Sequence, residues 1–276
     1  MRFHSPLLSR RASILFGLLL LLLLSACSLG NQEVGEDVYE LINQASPDQA
    51  IDVVFFPDDD YGDMSILANR QAFIDDISEL INNGYYQNNA IYENTLYYNF
   101  WYMTLSGDVA APANPSDCPI VTWPNTNQAA FAEVIMLLHP NQLRDCAWGN
   151  KVTSEPSSYR TVVHETSHAA FNLPDEYCCD GGYWSISPIL YSNEAACLND
   201  AANAAWRDCD SFTETGGRVW WRSENTDCDI MSCSVDQIVY EYGQGDWVVV
   251  RNVLDGLSPS IVNDPIVLAP ASWDSP

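Results

Sequence analysis

Hydrophobic residues gather into a few dense runs separated by polar, Gly-, Pro- and Asn-rich stretches. The run Ala50 to Phe56 (AIDVVFF) is rich in β-branched and aromatic residues and stops at Pro57 and the acidic Asp58-Asp59-Asp60-Tyr61, which predicts a buried strand entering a loop. From Ser65 to Ile81 the positions Ile66, Leu67, Phe73, Ile74, Ile77, Leu80 and Ile81 keep helical spacing, and Asn82-Asn83-Gly84 supply a stop. Thr95 to Leu105 and Ala132 to Leu138 read as two more strands. Ser157 or Ser158 offers an N-cap for a helix from Tyr159 to Phe171, and a short helix is expected from Glu194 to Trp206 among long irregular segments. Strands and helices alternating before position 171 predict an α/β (α+β) domain built on a twisted mixed sheet.

The N-terminal pattern is of another kind. Arg2, Arg10 and Arg11 precede an apolar run from Ile14 to Leu24, the layout of a secretory signal, and the run is too short to span a bilayer. It ends in Leu24-Ser25-Ala26-Cys27, which resembles a bacterial lipobox, so residues 1–26 are expected to be a lipoprotein signal peptide with Cys27 as the lipidated first residue of the exported chain. Residues 27–49 then form a tether, 50–257 the domain, and 258–276, with four prolines, a surface tail. The tether has no further Cys that could occupy a metal, so activity without removal of a propeptide is expected.

Charge changes the picture by exclusion. The chain has 11 basic residues against 37 acidic ones and a net charge of −26. Removing three arginines with the signal leaves −29 on the exported part. Such a surface does not bind a phosphate backbone, which is held by Lys and Arg, so nucleic acid is excluded as a partner. It suits an exported protein in a saline or calcium-containing medium, and Ca2+ enters as a second candidate cofactor. With Cys27 lipidated, eight cysteines remain, an even number that fits an oxidising compartment, and six of them lie between 178 and 233. Two CxxC knuckles, which a zinc-thiolate cluster needs, are missing, so disulfides that rigidify a C-terminal loop region are expected.

The chemistry centres on His164-Glu165-Thr166-Ser167-His168, within RTVVHETSHAAFNLPDEY. Four residues apart on a helix, two imidazoles share one face and converge on one ion, with Glu165 beside the open position. Zinc there polarises a water and a carbonyl while Glu165 carries the proton to the leaving amine, which is peptide-bond hydrolysis. A chance HExxH on an amphipathic helix is the plain alternative. Against it stand the scarcity of histidine, the apolar flanks Val162-Val163 and Ala169-Ala170-Phe171, and the turn that follows. Asn172 tolerates the left-handed conformation that ends a helix and Pro174 forbids its continuation, so the chain can return Asp175 or Glu176 to the ion. A catalytic zinc takes three protein ligands. Asp175 is favoured by this turn, Glu194 on the later helix stays open as an alternative, and His139 in His139-Pro140-Asn141 reads as a loop or core histidine.

HETSHAAFNLPDEY resembles the extended motif of the bacterial IgA-peptidase-type zinc metallopeptidases, a metzincin-like family: HExxH, a short linker, then Leu-x-Asp-Glu-Tyr. Ile51 to Tyr61, Arg144-Asp145-Cys146-Ala147 and Cys228-Asp229-Ile230-Met231-Ser232 are similar to the family's first strand and Asp-rich loop, a segment before the active-site helix, and its methionine-bearing turn. The chain departs from the pattern at Asn172, at Pro174 and at Asp60, where relatives carry Gly before Tyr. The resemblance implies a metzincin-like domain with an active-site helix, Zn2+ held by His164, His168 and Asp175, Glu165 as base, and Met231 as an apolar floor. Together with the lipobox-like segment at Cys27, this leads to the expectation of a membrane-anchored extracytoplasmic endopeptidase acting on protein or peptide substrates. A catalytically degenerate adhesion domain on the same scaffold, and a gluzincin-type peptidase using Glu194, are the competing expectations.

Overall fold

Sequence runs of this kind settle into sixteen elements in the computed structural model, which describes residues 37–177, 183–204, 209–222, 229–232, 239–257 and 262–264, with only the backbone of 201–204. In chain order they begin with β1 (Val38–Ile42), β2 (Ile51–Pro57), α1 (Leu67–Asn83), α2 (Asn89–Glu93), β3 (Tyr98–Met103), β4 (Asp108–Ala110), β5 (Ile120–Thr122) and β6 (Val134–Leu138). Then follow β7 (Cys146–Trp148), β8 (Lys151–Ser154), α3 (Tyr159–Phe171), β9 (Leu190–Tyr191), α4 (Glu194–Ala204), β10 (Asp210–Thr213), β11 (Val219–Arg222) and α5 (Gln244–Leu257).

The fold is mixed α/β. Its main sheet has the order β1-β3-β2-β6-β8-β7, with β3, β2, β6 and β8 parallel and an antiparallel strand at each edge. Every residue of β2 and β6 is buried, as parallel strands covered on both faces require. Alternation along β2 divides the core. Ile51, Val53 and Phe55 join α1, α3 and α5 through Phe73, Ile77, Leu80, Val162, Val163 and Val250. Val54 and Phe56 face the other way, toward Trp101, Phe131 and Val109 of β4. Because β2, β6 and β8 run parallel, Asp58, His139 and Glu155 all emerge at one edge of the sheet, and α3 starts from that edge.

Four expectations are corrected. Residues 27–49 are more than a tether, because Val38–Ile42 pairs antiparallel with β3 and Tyr39 stacks on Tyr102 at 5.1 Å. The pairing satisfies an otherwise open strand edge, a long-range reason that five mixed residues do not advertise. The C-terminal region, read as irregular outside one short helix, contains α5, whose Trp247, Val250 and Leu254 are buried at helical spacing. Its valines and Gly245 have weak helix propensity, which masked that period. Within the segment read as a surface tail, the described residues 262–264 pack on the domain: Val262 is buried, Asn263 bonds Asn94 and Glu93, and Asp264 meets Arg251 at 2.6 Å. The strand expected over Thr95 to Leu105 is a 3-10 turn, Thr95–Tyr97, leading into β3.

Among the described residues two disulfides are present, Cys118–Cys146 and Cys197–Cys209. Cys27, Cys178, Cys179, Cys228 and Cys233 lie outside the described residues, as does the signal segment. Among the described residues no helix is long and apolar enough to cross a membrane.

One core group sets a pH dependence. Asp52 of β2 is fully buried; its Oδ1 accepts hydrogen bonds from Trp101 Nε1 (2.6 Å) and Asn99 Nδ2 (3.0 Å), and its Oδ2 has no hydrogen-bond partner among the described residues. Burial pushes the carboxyl up to about 7 against those two hydrogen bonds, and Glu133 and Asp48 add to the rise. The folded state therefore holds this proton after the unfolded chain has lost it. Its contribution to stability is complete at acid pH and falls away as pH climbs from about 4 through 7. Asp52→Asn is expected to stabilise the protein by roughly 2 kcal/mol at pH 8 and little at pH 4, read by denaturant unfolding at both values. An equal effect at the two pH values would contradict the assignment.

Candidate metal centre

Helix α3 presents one face to the core and the other to a cleft. The two residues between the histidines are buried and fixed by tyrosines: Thr166 Oγ1 lies 2.7 Å from Tyr85 Oη and Ser167 Oγ 2.8 Å from Tyr242 Oη. Gly84, at the end of α1, permits the approach, since a Cβ there would sit 2.7 Å from the carbonyl oxygen of Tyr159. With Thr166 and Ser167 turned inward, His164 and His168 are turned out together on the opposite face.

Helix α3 stops where its turn chemistry directs. Asn172 adopts φ 54°, ψ 35°, its N–H bonds His168 O, and the Leu173 N–H bonds Ser167 O. Pro174 follows and the chain doubles back. Asp175 Oδ1 ends 3.3 Å from His164 Nε2 and 3.3 Å from His168 Nε2, and the two Nε2 atoms are 3.1 Å apart.

This triangle has the dimensions of a metal site. A tetrahedral ion with bonds of about 2.0–2.1 Å sets its ligand atoms about 3.3 Å from one another. The remaining ring nitrogens define the tautomers, because His164 Nδ1 donates to Ile230 O at 2.9 Å and His168 Nδ1 to Leu173 O at 2.6 Å. Both Nε2 lone pairs then converge, and Asp175 Oδ1, buried and without a hydrogen bond, faces them. Two lone pairs and a carboxylate aimed at one point repel each other unless a proton or a cation lies between them. Burial disfavours charge on His168, but the Asp175 carboxylate outweighs it and Glu165 adds to the effect, raising the imidazole to about 9. Burial would likewise raise Asp175, yet the two imidazoles hold it far below the ordinary carboxylate range. A metal ion held by these three residues would displace that proton.

The other expected residues separate around this triangle. Glu165 is buried beside the histidines and lines the same cleft, and burial raises its carboxyl while the imidazoles oppose the rise. Glu176 is buried away from the triangle; its N–H bonds Met231 O and its carbonyl accepts Arg222 Nη1. Glu194 is exposed in the first turn of α4 and is not grouped with the histidines. His139 is fully buried, its Nδ1 on Asn141 O at 2.9 Å and its Nε2 3.6 Å from Asp145, as a core histidine. Met231 is fully buried in the same hydrophobic core as Val163 and Phe171. Its turn is tightly made, since Asp229 Oδ1 accepts the N–H groups of Met231 and Ser232.

Sequence reading missed the residues that hold this turn against the helix. Arg160 donates to Ile230 O at 2.7 Å, the same carbonyl that orients His164, and to Val239 O at 3.0 Å. A guanidinium placed on the helix one turn before the first histidine, in a chain so poor in basic residues, was the available signal. Tyr177, its ring centroid 6.2 Å from that of His164, closes one side. The cleft encloses about 260 Å³ and is walled by Arg144, Asp145, Trp184 and the Cys118–Cys146 disulfide. A second cavity shares Arg144, Asp145, His164, Glu165 and Tyr177, so the cleft continues past the centre. Compared with known proteins, the chain matches no family model and no curated sequence.

Proposed function

We propose that the protein is a metzincin-like, zinc-dependent endopeptidase, exported and lipid-anchored through Cys27, that hydrolyses proteins or peptides. The observation that carries the reading is the convergence of His164 Nε2, His168 Nε2 and Asp175 Oδ1 at 3.1–3.3 Å with the base-bearing residue Glu165 alongside. Bound zinc supplies Lewis acidity, lowering the pKa of a water and polarising a peptide carbonyl. Three protein donors leave the fourth position of a tetrahedron open. Ile230 O and Leu173 O fix the tautomer of each imidazole and aim its Nε2 at the shared point. Glu165, whose carboxyl burial raises, would take the proton of the attacking water and return it to the leaving amine. The cleft that runs past the centre favours an extended chain over a single terminal residue. Two disulfides and the acidic surface support an oxidising, extracytoplasmic setting.

The purified protein should cut casein, lose that activity to 1,10-phenanthroline, and regain it with one equivalent of Zn2+. A protein that binds zinc stoichiometrically but leaves casein and a mixed peptide library intact would overturn the peptidase reading and leave the metal centre standing.

A further inference from the structure

At the end of β2 the chain places Asp58, Asp59 and Asp60 in succession, and Asp108 opens β4 beside them. The backbone there is fixed. Asp58 N–H bonds Leu138 O, Asp59 N–H bonds Gly107 O and Gly107 N–H bonds Pro57 O, each at 2.9 Å. The close approach depends on Gly107, where a Cβ would lie 2.8 Å from Leu137 Cδ2 and 2.9 Å from Thr122 O. As a result, carboxylate oxygens of Asp58, Asp59 and Asp108 all fall within 4.8 Å of one another.

An acidic cluster in solvent would mean nothing, but Asp58 is fully buried and neither of its carboxylate oxygens has a hydrogen-bond partner among the described residues. What faces it is acidic. The Asp59 and Asp60 carboxylates act on it with like charge. A buried carboxylate with no donor and like charges for neighbours is costly unless it coordinates a cation. The donors are all oxygen, which suits a hard ion, and imidazole and thiolate are missing from the group. Calcium, with flexible geometry and bonds of about 2.4 Å, spans oxygens up to about 4.8 Å apart, and exposed Asp59 and Asp108 leave its outer side to water.

We propose that Asp58, Asp59 and Asp108 form a calcium site at the edge of the sheet, distinct from the histidine centre and independent of its assignment. Calcium joins the ends of β2 and β4. Asp60 extends the brace, because Asn141 Nδ2 donates to its Oδ2 at 2.6 Å and ties in the loop after β6.

The test is a CaCl2 titration of the full chain, stripped of metal by chelator, followed by thermal unfolding and calorimetry. The melting temperature should rise by about 3–6 °C once Ca2+ exceeds its dissociation constant tenfold. Asp108→Asn, at an exposed position, should weaken binding about tenfold, Asp58→Asn should abolish the shift, and His168→Ala should keep it whole. Should Asp58→Asn fail to fold, Asp108→Asn still decides. No shift in the wild type up to about 10 mM Ca2+, an unchanged dissociation constant in Asp108→Asn, or a shift lost in His168→Ala would each overturn the site.

Discussion

Replacing Glu165 by Gln should leave zinc bound and lower peptide hydrolysis by about 10²–10⁴-fold. The substitution keeps size and polarity in a buried position, so the cleft and the triangle persist. What goes is a carboxylate able to accept a proton. The pH profile is the sharper readout. In the wild type the acid limb of kcat/KM should report Glu165, whose carboxyl burial raises, and that limb should vanish in the residual activity of the variant. A Glu165→Gln protein with full activity and an unchanged profile would remove this residue from the chemistry.

Zinc content should separate the two acids that the sequence left in competition. Asp175→Ala is expected to weaken zinc binding by more than about a hundredfold, since losing even an outer partner of a ligand costs 10–100-fold. Glu194→Ala should leave one zinc per chain, because Glu194 is exposed on α4 and outside the group of donors. Equilibrium dialysis against a zinc buffer reads both variants. Loss of metal in Glu194→Ala alone would replace the site described here with a different one.

How much of this was legible depended on how local each cause was. The helix Tyr159–Phe171 was readable to its ends because Asn172 and Pro174 act on the residues next to them. The buried parallel strands were readable as apolar runs. Strand β1 was not, because its reason is the edge of β3, some sixty residues further on. The histidine pair follows from helical period, whereas the choice between Asp175 and Glu176 does not, since neighbouring side chains in a turn diverge and only packing decides which one faces the two imidazoles. Ile230 was illegible for another reason, since it acts through a backbone carbonyl that any residue would supply.

All three donors belong to residues 164–175, and His168 and Asp175 are only seven residues apart. Closing so short a loop costs little chain entropy, about 2 kcal/mol less than closing the 66-residue separation between His164 and Ile230. The order of assembly follows: α3 and its turn can gather the ligands while the chain is still folding, and the distant carbonyl then locks the rings. If the centre takes a metal as proposed, its capture and the final setting of the imidazoles are expected to be separate events.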